Sequence, residues 1–128
     1  MSSDEKGPIA FARDTIRQIL EGGTSWPVIT NIPPQLIPPC VVVTESNPFV
    51  SRGDAVGSVT VTFKVLAIAP PTDNEHIIAL LDQAADKLIT HLTSEDVHYT
   101  VTGYETVTSA DSQSYLAASL TLPLSLHL

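Results

Sequence analysis

The chain has 128 residues, with 14 acidic and 6 basic side chains and a formal net charge of -8. This length allows one domain with a single core, and the negative charge argues against nucleic acid or an anionic membrane as the main partner. The single cysteine, Cys40, excludes an intrachain disulfide, and we expect a cytoplasmic protein because neither a secretion signal nor a long apolar run is visible. A hydrophobic content of 43% with only 16% charged residues indicates self-association.

The N-terminal third predicts one helix followed by two short extended segments. Residues 1–7 are expected to be frayed, and apolar side chains spaced three and four apart predict a helix over Pro8–Glu21 that Gly22 ends. The segments Trp26–Ile32 and Cys40–Thr44 are typical of strands, and four prolines lie between them. Such a proline-dense connection favours a stiff crossing or a wide hairpin over a PxxP ligand motif.

The stretch Glu45–Gly57 has the weakest structural pattern and is predicted to be a long loop. Loops of this length are usually functional or disordered, and Phe49 and Val50 are unusual for a solvated one. We expect the loop to be mobile in the isolated chain and ordered in an assembly, because local packing offers no cover for this apolar area. The candidate interface residues are Asn47, Pro48, Phe49, Val50, Arg52 and Asp54.

A long strand over Ser58–Ala69 is the centre of the predicted fold. One face is apolar throughout, whereas the other begins polar and becomes apolar only at Leu66 and Ile68, which predicts burial on both sides at the end of the strand. Pro70 and Pro71 then stop it, because proline has no backbone N–H to donate to a sheet.

An amphipathic helix is predicted over Asp73–Leu92. Thr72 is placed as its N-cap, with Glu75 reaching back in a capping box. Apolar side chains fall on one broad face, which predicts packing against a sheet. This face consists of Ile77, Leu81, Ala84, Ala85, Leu88, Ile89 and Leu92.

The last third predicts two strands. The first alternates from Val97 towards Val107 with one buried face, and Ser109–Ser114 form a turn. The second places Leu116, Ala118, Leu120, Leu122, Leu124 and Leu126 on one face, and Pro123 indicates a sheet edge near that point. The element order α-β-β-β-α-β-β predicts a single α+β domain over residues 1–128, with a mostly antiparallel sheet and two helices packed on one face.

Candidate chemistry is sparse. The four histidines lack metal-ligand spacing, and Asp82 and Asp86, beside Gln83 and Lys87, are best interpreted as a solvated helix face. Cys40 opens an apolar run and is expected to be a small buried hydrophobe rather than a nucleophile. We therefore expect no enzyme activity, no catalytic residue, no metal and no cofactor.

The order of these elements, and the residue patterns within them, resemble those of the tail terminator family of long-tailed bacteriophages, also called tail completion or tail-to-head joining proteins. The resemblance rests on a strand ending in Ala69-Pro70-Pro71-Thr72-Asp73 and on the Leu/Ala/Asp-rich helix Ile77–Asp86. It continues through Gly103-Tyr104 and through Gln113–Ala117, which lead into the leucine-alternating last strand.

The resemblance implies a structural protein of the virion, assembled in the host cytoplasm. It implies a homo-oligomeric ring, commonly a hexamer, which caps the tail tube, ends tail polymerisation and joins the tail to the head connector or neck protein. The genome would pass through without specific binding, and an acidic ring suits such passage because it repels DNA. A head completion or neck protein of the same virion, and a small cytoplasmic α+β ligand-binding module or enzyme, remain as alternatives; the chain is not expected to bind a membrane.

Overall fold

A computed structural model describes residues 7–31 and 35–127. The expected α+β class is confirmed: two helices lie on one face of a five-stranded sheet of order β1-β2-β3-β5-β4. Every neighbouring pair is antiparallel except β1 and β2. The elements are α1 (Pro8–Glu21), β1 (Val28–Ile29), β2 (Cys40–Arg52), β3 (Ser58–Ile68), α2 (Asn74–Ser94), β4 (Thr100–Thr108) and β5 (Ser114–His127).

Helix α1 has the predicted bounds and buries Ala12, Ile16 and Leu20 against the sheet. Gly22 caps its C-terminus in a right-handed conformation, so a left-handed turn is not the reason for glycine at this position. A Cβ on Gly22 would lie 2.9 Å from the ring of His91, and one on Gly23 would lie 2.8 Å from the Cβ of His91. These glycines therefore allow the end of α1 to approach α2 closely.

Helix α2 begins one residue later than predicted, because Asp73 rather than Thr72 is its N-cap. The Asp73 carboxylate accepts a hydrogen bond from the backbone N–H of His76 at 3.0 Å and lies within 2.8 Å of the His76 ring Nδ1. A carboxylate two atoms from the backbone reaches the exposed N–H groups of the first turn, so the expected capping box with Glu75 does not form. The predicted apolar face is confirmed, and the helix continues to Ser94.

The helix side of the sheet carries the main core, which both helices cover. It includes Phe63, Val65, Leu120 and Leu122, each with almost no exposed surface, together with the buried faces of α1 and α2. The six alternating apolar residues of β5 all contribute, as predicted. The register β3 to β5 is uninterrupted from Ser58 to Ile68, so the two strands present one continuous apolar face to the helices.

The opposite face of the sheet is apolar at one end only. Leu66 and Ile68 are buried there in a second cluster, which Leu36 from the β1–β2 connection covers, whereas Thr60 and Thr62 are partly exposed. This confirms the predicted change from half-solvated to fully buried along β3. We call the Ile68 end of the sheet the closed end and the Ser58 end the open end.

The first extended segment is shorter than predicted. Only Val28–Ile29 form a strand, and it pairs parallel with Val41 and Val42 of β2, so the proline-dense connection is a crossing rather than a hairpin. Parallel strands cannot be joined by a tight turn. Ile32 to Pro34, within this connection, lie outside the described residues.

Strand β4 begins at Thr100 rather than Val97 and is interrupted by a bulge between Val101 and Gly103. The bulge places Val101 and Tyr104 opposite Leu120 and Ala118, on the helix side, and both side chains remain partly exposed. The expected buried alternation therefore does not hold along β4, because a bulge changes which residues share a face.

Strand β5 lies between β3 and β4, but β4 pairs with it only as far as Thr121. Beyond that residue β5 pairs with β3 alone among the described strands, so Pro123 lies where the strand is locally an edge. The edge predicted from Pro123 is therefore confirmed, since a proline has no N–H to offer a second neighbour.

Candidate interaction surfaces

The six interface residues predicted from sequence lie in and beyond a bulge of β2. Strand pairing with β3 holds up to Glu45 opposite Phe63 and resumes at Val50 opposite Val61. Residues 46–49 therefore face Thr62 alone, and they include Asn47, Pro48 and Phe49. Val50 and Arg52 lie in the resumed strand, and Asp54 lies in the turn that follows.

The prediction of one long loop over Glu45–Gly57 was thus wrong for most of its length. Residues 45–52 belong to β2, and only residues 53–57 connect it to β3. The sequence pattern failed here because the bulge breaks the two-residue alternation and because Pro48 is atypical of a paired strand. An edge position makes this proline acceptable, since β1 pairs with β2 only at Val41 and Val42.

Phe49 is not an uncovered apolar side chain. Its ring meets that of Phe63 edge to face, with centroids 5.5 Å apart and an interplanar angle of 73°. The Arg13 guanidinium of α1 lies 5.9 Å from the Phe49 centroid and donates to Glu45 across 3.1 Å. The bulge therefore turns Phe49 into the core, where an aromatic pair and a cation hold it.

The connection between β2 and β3 forms a projecting turn, and we define residues 50–58 as the hairpin tip. The backbone N–H of Gly53 donates to the Ser58 carbonyl at 2.9 Å, and the Ser58 hydroxyl donates to the Ala55 carbonyl at 2.7 Å. Gly57 adopts a left-handed φ of 80°, which favours glycine, so the turn has a defined shape.

The outside of the hairpin tip is apolar and carries a cation. The Val56 side chain is 99% exposed, and Val50 is also exposed. No carboxylate among the described residues forms an ion pair with Arg52. The tip therefore offers solvent a small apolar surface beside the Arg52 cation and the exposed Asp54 carboxylate.

A second exposed surface lies between α2 and β4, and sequence analysis did not find it. The Tyr104 hydroxyl donates to the Asp82 carboxylate, which joins the outer strand to the helix across 22 residues of sequence. Partial burial, this hydrogen bond and the charges of Asp82 and Asp86 raise the pKa of Tyr104 to about 12. Ile78 and Val101 are exposed on the same helix and strand. We name Ile78, Asp82, Asp86, Val101 and Tyr104 the α2–β4 surface.

The interpretation of Asp82 and Asp86 as a solvated helix face is confirmed, because both side chains are exposed. Only a contact distant in sequence distinguishes Asp82, so a local pattern could not have shown its link to Tyr104. The placement of Tyr104 depends on the β4 bulge, which the unusual Gly103, with φ of 125°, could have indicated.

Reactive groups elsewhere are few. Cys40 is fully buried, as expected, and burial raises the pKa of its thiol, so the reactive thiolate is disfavoured. Within residues 7–31 and 35–127, no three His, Cys, Asp or Glu side chains come together in an arrangement that could hold a metal ion. No helix in the described part of the chain is both long and apolar enough to span a membrane.

Comparison with models of known protein families and with curated protein sequences found no match to this chain.

Proposed function

We propose that this chain is a structural subunit of a bacteriophage tail, which forms a homo-oligomeric ring, caps the tail tube and joins it to the head connector or neck protein. The observation that carries the proposal is the distribution of exposed apolar side chains. Phe11 on α1, Ile37 before β2 and Val56 at the hairpin tip are each more than half exposed, and they belong to three different segments of the chain. The phage tail is proposed because the order of the elements and their residue patterns resemble those of tail terminators.

Exposed apolar side chains on several segments of the subunit would favour assembly with more than one neighbour. Removal of apolar area from water favours association by about 25 cal/mol per Å² before the costs of ordering and lost freedom. A subunit that contacts its neighbours through two unlike surfaces generates a closed ring when the rotation between copies closes. A ring subunit on a tube also needs contacts above and below the ring, which would account for apolar side chains beyond a single interface.

The charge of the chain suits a conduit for DNA. With a net charge of -8 per subunit, a ring would surround the genome with negative potential and would not retain it. The proposed roles of Asn47, Pro48, Val50, Arg52 and Asp54 are therefore contacts with protein, either a neighbouring subunit or the tube. Phe49 contributes indirectly, because it anchors the base of the hairpin in the core.

Native mass spectrometry of the purified chain, alone and with tail tubes, tests ring formation. We expect one closed oligomer, and a chain that stays monomeric at every concentration and with tubes present would contradict the proposal. Deletion of the gene from its phage, followed by imaging, tests the position in the virion. Overlong tails without heads are expected, whereas tails of normal length beside leaking heads would indicate a head completion or neck protein.

A further inference from the structure

Two exposed surfaces of this chain have complementary character and lie far apart. The hairpin tip is at the open end of the sheet, whereas Tyr104 pairs with Ala118 and through it with Ala67 near the closed end. From Ser58 to Ala67 is nine residues of strand, which at about 3.3 Å per residue separates the two surfaces by roughly 30 Å. One copy therefore cannot bring its own tip onto its own α2–β4 surface.

We infer that the hairpin tip of one copy docks on the α2–β4 surface of the next copy in the ring. This inference rests on the proposed ring and adds which surfaces meet. Because tip and receptor differ, the contact is heterologous, and repetition around an axis is the way such a contact closes.

The hairpin tip is an apolar projection of defined shape. Val50 and Val56 are exposed at the tip, and the turn is held by hydrogen bonds through Gly53 and Ser58. A preorganised turn loses less conformational freedom on docking than a flexible loop would. An apolar projection of this kind matches a receptor with apolar side chains at its centre.

The receptor has such side chains in fixed places. Ile78, Asp82 and Asp86 are spaced four residues apart and form one stripe on α2. The Tyr104 hydroxyl holds that stripe against β4 through Asp82, and the β4 bulge places Val101 on the same side of the strand. The α2–β4 surface is therefore apolar at Ile78, Val101 and Tyr104 and acidic along its helix edge.

Charge complementarity identifies the occupant as a second copy. Arg52 has no ion-pair partner among the described residues, and the same holds for Asp82 and Asp86. Docking would bring the cation of one copy to the two carboxylates of the next, which favours the correct partner and orientation. The tip also carries Asp54, which lines the same hollow of the tip as Arg52 and borders a second groove with Ser125 and His127, so Arg52 must approach the carboxylates of the next copy with Asp54 beside it.

Charge reversal with rescue tests this pairing. Arg52→Glu and Asp82→Arg should each raise the subunit dissociation constant at least tenfold by native mass spectrometry, because each places like charges opposite one another. The double variant Arg52→Glu with Asp82→Arg should recover most of the affinity. Matched reversals outside both surfaces, Lys87→Glu and Glu95→Arg, should leave ring formation unchanged, and circular dichroism should show that all the variants fold.

A disulfide test does not depend on charge. Val56→Cys combined with Ile78→Cys, in a Cys40→Ala background, should give a covalent ladder of oligomers on oxidation, whereas either single cysteine should not give the ladder. If the charge variants form rings normally and the double-cysteine variant gives no ladder, the docking inference is overturned, whereas the proposed ring is not. Rings that survive Arg52→Glu but no longer join tubes would assign the tip to the tube and also overturn it, whereas a wild-type chain that never assembles would overturn both proposals.

Discussion

The closed and open ends of the sheet differ in how many faces are covered. At the closed end Ile68 is buried on the face opposite the helices, as part of the second apolar cluster, which also includes Leu36. At the open end Thr60 occupies the same face of the same strand and is partly exposed. One strand therefore passes from a two-sided core to a one-sided core, and the hairpin tip, one of the two surfaces proposed for assembly, lies beyond the point where the second cover ends.

On the face opposite the helices, β3 is therefore covered at one end and leads into an exposed hairpin at the other. At the closed end the apolar residues of β3 are buried on both faces of the sheet. At the open end the strand leads into a hairpin whose Val56 side chain is exposed to water. Substitutions of buried residues at the closed end should therefore act on folding, whereas substitutions of exposed residues at the tip should act on assembly.

The largest effect is expected for Ile68→Ala. Ile68 is fully buried, and removal of three carbons leaves a cavity in a two-sided core, so the free energy of unfolding should fall by about 2 to 5 kcal/mol. Thr60→Ala, eight residues away on the same face, is the matched control and should change it by less than about 1 kcal/mol. Urea denaturation of both variants measures the difference, and equal losses would show that the two ends do not differ.

The next largest effect on the free energy of unfolding is expected at the base of the hairpin, at Phe49, and not at its tip. Phe49→Asp should lower the free energy of unfolding by about 2 to 3 kcal/mol, somewhat below the range for a fully buried phenylalanine, because Phe49 is only partly buried against Phe63. Val56→Asp introduces the same charge on a fully exposed side chain and should change it by less than about 0.5 kcal/mol.

The same pair of variants should show the reverse order of effects in assembly experiments at temperatures where both are folded. Val56→Asp should weaken ring formation directly, and Ser51→Ala, also at the tip, should not. A Phe49→Asp chain as stable as the wild type would show that Phe49 is a surface residue after all.

The sequence was sufficient for the parts of the fold whose burial follows a regular period. The bounds of α1 and the leucine face of β5 were predicted correctly because one side of each element meets the core without interruption. The two bulges, at residues 45–50 and 101–103, were not predictable from alternation, because each inserts residues that shift the period. Both candidate surfaces lie beside a bulge, which is why the tip was assigned to a loop and the α2–β4 surface was missed.

A smaller effect, of opposite sign, is expected at Ser119. Its hydroxyl is buried at the closed end and has no hydrogen-bond partner among the described residues, although the Ser119 carbonyl accepts from the Thr102 hydroxyl at 3.1 Å. Ser119→Ala removes the buried hydroxyl and keeps the carbonyl, so the free energy of unfolding should rise by about 1 kcal/mol. Thermal unfolding would measure the gain, and a loss of stability would mean that the hydroxyl has a partner in solution.

The smallest effect concerns the titration of Tyr104 on the outer strand. Partial burial, its hydrogen bond to Asp82 and the nearby carboxylates raise the pKa of Tyr104 to about 12, from an ordinary value of 10.0. Because the pKa is higher in the folded chain, its contribution to stability is complete below pH 10 and is lost as the pH rises from 10 towards 12. Ultraviolet absorbance of tyrosinate should therefore show a late step that is missing in Tyr104→Phe.

Asp82→Asn sharpens that measurement because it removes the charge but keeps an oxygen that can accept from the phenol. The pKa of Tyr104 should fall towards 10, and Asp86→Asn should lower it less, since Asp86 acts on Tyr104 only through its charge. Glu95→Gln removes one carboxylate at the far end of α2 and should leave the late step in place. If Asp82→Asn does not shift the late tyrosinate step to lower pH, then the Tyr104 phenol and Asp82 are apart in solution. The α2–β4 surface would then lack the contact that joins its helix to its strand.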